Sequence, residues 1–187
     1  MAGCTAVPSN IRRRLHVGAL VLGLLASSFV RAQGASPESL KAEVLYRVLM
    51  FVTWPADREA PGRPLQVCTA GDGGGMEAAL QKLAGRTIRQ LSIDVRRPAG
   101  PEQLARCHLV YLPGPQPAWR TPLAELPVLV VSDAAAMLDQ GAMVNHQVED
   151  GRIVFDVDLD AARRAGLAIS TKLLRLARFV RHQATSP

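Results

Sequence analysis

Gly71-Asp-Gly-Gly-Gly stands between a short apolar run and a helix-like stretch, the setting in which successive backbone amides can cradle an anion. It lacks the Gly-Lys-Ser/Thr ending of a nucleotide loop and the spacing of a dinucleotide loop, so a plain turn is the simpler reading. Gly71 and Asp72, with Ser132 and Asp133 after a later apolar run, mark the strand ends where open α/β sheets take small ligands. Asp156, Asp158 and Asp160 have the spacing that opens a calcium loop. Ala161, however, takes the place of the required glycine and Leu167 that of the bidentate glutamate, and the alternation assigns the three aspartates to a solvated strand face. His108, His146 and His182 are scattered, and no Gly-x-Ser-x-Gly elbow accompanies a serine, so a hydrolytic triad gains no support. Each histidine is expected to be a surface or satisfied residue, His108 being of interest because it adjoins Cys107. No catalytic set, metal set or cofactor loop is assembled, which sets binding ahead of catalysis.

Two groups suit a partner surface. Lys172, Arg175, Arg178 and Arg181 recur every three residues and, on a helix, form a basic stripe opposite Leu173, Leu176, Ala177 and Val180. Such a stripe is ordinarily the wet side of an amphipathic helix; it also suits an acidic partner or anionic lipid headgroups. Phe51, Trp54 and Pro55, at the end of the first helix, read either as core or as a binding hot spot in a chain with few aromatics.

The chain of 187 residues opens with Arg12, Arg13 and Arg14, an apolar run over 17–30, and a small residue at Ala32, which reads as a secretory signal peptide over 1–32. The run is short of the about 20 residues that cross a bilayer as a helix, so an uncleaved anchor is the lesser alternative. Cleavage removes four arginines and no acid. The balance of 22 basic against 16 acidic residues becomes 18 against 16, and the net charge falls from +6 to +2. So small a charge makes no case for nucleic acid. About 155 residues remain, enough for one domain with a proper core. Export also leaves two cysteines, Cys68 and Cys107, in a compartment that oxidises thiols. A disulfide between them is expected, two free buried thiols being the alternative, and their separation excludes a CxxC redox or zinc motif.

The elements that must position these residues read as follows. Ser36 caps a helix with Pro37 at its first position, and Leu40, Val44, Val48 and Phe51 keep helical spacing until Trp54-Pro55. A strand is expected over 65–69, a helix over 76–83, and one strand or two over 88–95. Buried strands are expected over 109–112 and 128–131, with a short helix over 119–126 between them and another over 134–139 ending at Gly141. Strands 143–148 and 153–159 flank the Asp150-Gly151 turn, with Ile153, Phe155, Val157 and Leu159 inward. Helices over 160–165 and 171–182 close the chain. The pattern predicts an α/β fold, a single-domain sandwich over 36–182. In it a mixed central sheet is flanked by helices, and a hairpin and helix lie at the C-terminus. Residues 183–187 are expected to be a disordered tail.

Several pieces recur in one order between about 38 and 180: Phe51-Val-Thr-Trp-Pro, Cys68 with Gly71-Asp72, Leu83-Ala-Gly-Arg-Thr, Cys107-His, Val130-Val-Ser-Asp, Glu149-Asp-Gly-Arg-Ile-Val-Phe, and Ile169-Ser-Thr-Lys-Leu-Leu-Arg-Leu-Ala. In this ordered set the chain resembles the YfiR family of periplasmic proteins. The resemblance implies a non-enzymatic repressor that restrains an inner-membrane diguanylate cyclase or related sensor, so controlling cyclic-di-GMP signalling and biofilm formation, and that an outer-membrane lipoprotein can sequester. It also implies that Cys68 and Cys107 are the family's cysteine pair, and it makes a homodimer a further expectation. The second cysteine pair of some relatives is missing, so control through a second bridge is not expected. Asp158 stands where many relatives have asparagine. The alternative is a periplasmic small-molecule sensor using Gly71, Asp72, Ser132 and Asp133.

Overall fold

The computed structural model describes Gly3, residues 35–124 and residues 126–182; apart from Gly3, the expected signal peptide lies outside these residues, as does the expected tail. Helix α1, Pro37–Leu49, begins as expected, with the Ser36 hydroxyl accepting from the Ser39 amide and proline in the first turn. It stops at Leu49, five residues before Trp54. Val52–Thr53 instead form strand β1, which pairs antiparallel with β9, Ala168–Ile169, as a separate two-stranded ribbon.

The main sheet holds eight strands in the order β10-β8-β7-β6-β5-β2-β4-β3. Five central strands run parallel: β4 (Leu91–Arg96), β2 (Leu65–Thr69), β5 (Leu109–Leu112), β6 (Leu129–Ser132) and β7 (Val144–Glu149). β5 and β6 are buried at every position, because helices cover both faces, which is why they read as unbroken apolar runs. The 88–95 segment is two strands, β3 (Thr87–Ile88) and β4, joined through Arg89 at φ 55°. Helix α2, Gly74–Gln81, follows β2, and α3, Pro117–Ala124, follows β5. The expected helix over 134–139 is a 3-10 turn, Met137–Gln140, entered through Ala136 and left through Gly141, both in the left-handed region.

Strand β8, Arg152–Asp158, pairs antiparallel with β7 across the Asp150-Gly151 turn, where φ is 49° and 72° and glycine relieves the second position. Helix α4, Leu159–Arg164, starts on the Asp158 carboxylate, which accepts from the Ala161 amide at 2.8 Å. Phe155, Val157 and Leu159 are buried as expected, and Ile153 is half-buried. Asp156 and Asp158 are not on a solvated face: both are buried, the one by Arg178 and the other by Arg181 and its own capping bond.

The largest departure is at the C-terminus. Instead of one helix over 171–182, α5 covers only Thr171–Leu174, and Phe179–Arg181 form β10, parallel to β8. Helical spacing misleads here because the cations have better partners across the sheet. Arg178 and Arg181 reach Asp156 and Asp158 only if the chain extends along β8, and the Arg178 amide then donates to the Phe155 carbonyl at 2.8 Å.

Candidate functional site

Four side chains from four elements meet beneath α1, toward the carboxyl ends of the parallel strands. Lys41 lies one turn before Leu45, on the flank of the face that α1 buries, and its Nζ donates to Asp133 Oδ2 at 2.6 Å. Asp133 is the first residue after β6. Its Oδ1 accepts from the hydroxyl of Tyr111 on β5 at 2.5 Å. The ring of His146, on β7, lies 6.5 Å from that of Tyr111. Burial works against the Asp133 carboxylate, but the bonds from Lys41 and Tyr111 outweigh it and hold its pKa below the ordinary value. Burial, joined by the bond to Asp133, pushes the Tyr111 hydroxyl far above its usual value, so it stays a donor. Burial pushes His146 down to about 4 although Asp133 pulls the other way, so the ring is neutral at neutral pH. His146 is 0% exposed, and neither ring nitrogen has a hydrogen-bond partner; the buried Thr69 hydroxyl on β2 is unpartnered too. The arrangement is an ion pair with a phenol and a neutral imidazole, and it fastens α1 to the sheet. Among the described residues no group of three or more His, Cys, Asp or Glu could hold a metal.

The Ser132 hydroxyl donates to the Leu112 carbonyl at 2.7 Å and accepts from Ala134, whereas Asp133 turns to Lys41 and Tyr111, as successive strand residues do. In the glycine loop Gly71 has φ 69°, and Asp72 Oδ1 accepts from the Gly74 amide at 3.2 Å, so the aspartate closes its own turn.

Cys68, on β2, and Cys107, just before β5, form a disulfide with sulfurs 2.01 Å apart. Trp54 is packed against His108, the residue after Cys107: 3% exposed, it donates from Nε1 to the His108 carbonyl at 2.9 Å and meets the His108 ring edge-on. His108 is a satisfied core residue. Its Nδ1 accepts from the Gln66 amide and its Nε2 donates to the Arg58 carbonyl, while burial, chiefly, lowers its pKa. The structure thus assigns Trp54 to the core and offers no exposed ring there to a partner.

Phe51 behaves differently. It is half-buried, and its carbonyl accepts from the Ser170 amide at 2.9 Å, so the β1-β9 ribbon carries it to the foot of the C-terminal segment. Lys172 and Arg175 are exposed there and make no ion pair among the described residues. Arg178 turns away to form a fork on Asp156 and a bond to Glu149. Leu176 is 68% and Phe179 53% exposed. Helical reasoning placed Leu176 on a buried face and missed Phe179. It also missed Lys41 and Tyr111, and it read His146 as a surface or satisfied residue, whereas the ring is buried and neither nitrogen is partnered. Of these, His146 alone left a trace, a polar residue midway along the apolar alternation of Val144 and Val148.

Two solved structures are similar to the chain over part of their length. One is the ABC domain in complex with L-Trp from Streptococcus pneumonia, 10% identical, with a TM-score of 0.46 and 78% of this chain covered against 62% of that one. The other is a conserved domain protein from Vibrio cholerae O1 biovar eltor, 11% identical, with a TM-score of 0.46 and 78% covered against 60%. The chain spans less than two thirds of either, and neither likeness bears on function. A sequence profile of the YfiR/HmsC-like family matches residues 38–178, which includes the disulfide, the α1 cluster and the start of the C-terminal segment. The chain therefore belongs to the YfiR/HmsC-like family, whose members are periplasmic regulators of cyclic-di-GMP signalling.

Proposed function

We propose that this protein is exported to the periplasm, binds an inner-membrane diguanylate cyclase or a related sensor, and represses it without catalysing a reaction of its own. An outer-membrane lipoprotein that sequesters it would release the cyclase, and a homodimer is the further assembly to test. The observation that carries the reading is the C-terminal surface: Leu176 and Phe179 exposed beside the uncompensated cations Lys172 and Arg175, with Phe51 at its foot. Exposed aromatic and apolar residues ringed by cations suit a membrane-bound partner that presents an acidic rim around an apolar patch.

The test is crosslinking and capture from envelopes of the protein's own cells, paired with cellular cyclic-di-GMP in strains with and without the gene. Capture of an inner-membrane cyclase, with the messenger rising on deletion and on Phe179→Asp, supports repression through this surface. Unchanged messenger in the deletion strain overturns it. A rise on deletion but not with Phe179→Asp keeps repression and moves the contact elsewhere.

A further inference from the structure

The face of the sheet opposite α1 carries a cavity of about 210 Å³ between α3, the Met137–Gln140 turn and α4. Its floor is apolar and buried, formed by Leu112, Val130 and Met143, and Leu123 of α3 closes one side. Among the described residues its charged lining is Arg120 and Arg164, with no carboxylate. Neither arginine is neutralised by an acid among the described residues. Arg120 reaches only neutral acceptors, at long range: the Asp139 carbonyl at 3.3 Å and Gln140 Oε1 at 3.5 Å. Arg164 makes no ion pair among the described residues, and Asp160, one turn earlier on α4, is engaged by His182 at 2.8 Å.

We infer that this cavity is a binding site for a small carboxylate with an apolar tail. Guanidinium groups present a planar fork that matches a carboxylate, and they do so best where water is displaced by apolar surface. Two such groups above a dry floor therefore favour an anion whose body is hydrophobic over a sugar, an amine or inorganic phosphate. The volume lies below the ~300–1,000 Å³ of ordinary ligand pockets, which excludes a nucleotide and fits a fragment-sized acid. The 3-10 turn that lends Gln140 to the cavity also holds β10, since Arg181 donates to the Leu138 carbonyl and pairs with Asp139. The site thus lies one turn from the C-terminal segment, although binding does not depend on the role proposed for that segment.

The test is a methyl-resolved NMR titration of the purified, disulfide-bonded protein with hexanoate, and with hexanol as the neutral control. Hexanoate should give saturable shifts at the Leu112, Val130 and Met143 methyls at millimolar concentration or below, and hexanol should bind at least about tenfold more weakly. Arg164→Gln and Arg120→Gln should each weaken hexanoate about tenfold without changing the melting temperature, since both side chains are exposed. No saturation, equal affinity for hexanol, or shifts confined to other methyls would each overturn the assignment.

Discussion

Asp133 and Asp156 are each held by a cation from a distant part of the chain, yet one stands at the centre of the sheet and the other one strand in from its edge. Asp133 belongs to the centre, where Lys41 and Tyr111 close over it and the neighbouring strands are covered on both faces. Asp156 belongs to the edge, where Arg178 reaches it from a short outer strand while keeping contact with water and with Glu149. At the centre both partners are largely buried, Lys41 16% and Asp133 18% exposed, so its groups should govern whether the molecule folds. At the edge Asp156 is buried but its cation is 37% exposed and stays solvated when released, so its groups should govern mainly where the last strand lies. Under the proposed function, a partner met through the edge would bind a surface that adjusts without loosening the core.

Changes at the centre should then be global and changes at the edge local. The largest effect is expected from Cys107→Ser. Releasing a bridge between residues 39 apart should cost about 4 kcal/mol by loop-closure entropy, read as a lower urea midpoint under oxidising conditions. An unchanged midpoint would remove the disulfide from the central half's stability. Next comes pH. Unfolded, His146 titrates near 6.5, and in the fold its pKa is about 4, so as pH falls the unfolded chain takes up the proton first. Its contribution is therefore complete above about pH 6.5, declines between about 6.5 and 4, and levels off below, a loss of about 3 kcal/mol. His146→Leu should flatten that slope in urea titrations at successive pH values; an unaltered slope would assign it to other groups. Asp133, held below its ordinary pKa, gives up its share only at lower pH still.

Asp133→Asn, which leaves the Lys41 ammonium without its counter-charge, should cost about 2 kcal/mol. The buried-pair figure is discounted because Lys41 retains some access to water. Smallest is Arg178→Ala, about 1 kcal/mol or less, because that guanidinium is itself partly solvated. Its signature is local: faster hydrogen exchange at Phe179–Arg181 with little change in the amides of β5 and β6. If exchange quickened equally in both halves, the contrast between centre and edge would fail.

Much of the centre was legible. Ser36-Pro37 announced α1, the apolar runs gave β5 and β6, and Asp150-Gly151 gave the hairpin, because each rests on interactions a few residues apart. The two cysteines expected to remain after export pointed to the bridge. The candidate site was legible only in part. Asp133 was singled out, but for a ligand pocket shared with Ser132, whereas alternation sends the two side chains to opposite faces. The edge was misread because Thr171 to His182 has helical spacing, and nothing within that segment shows that Asp156 and Asp158 lie alongside it. Trp54 was ambiguous for the same reason: its indole partner, the His108 carbonyl, is 54 residues away.

The sequence by itself determined the local framework: where helices start, which runs are covered on both faces, where the chain turns, and the ordered residues that mark the family. Those signals are propensities, caps and periodicities, all short-range in the chain. Only the tertiary structure decided that Lys41, Tyr111, Asp133 and His146 meet, that the last cations run along a strand, and that Arg120 and Arg164 share one cavity. Those outcomes depend on strand order and on which charges burial obliges to pair, and neither is set by the residues next in line.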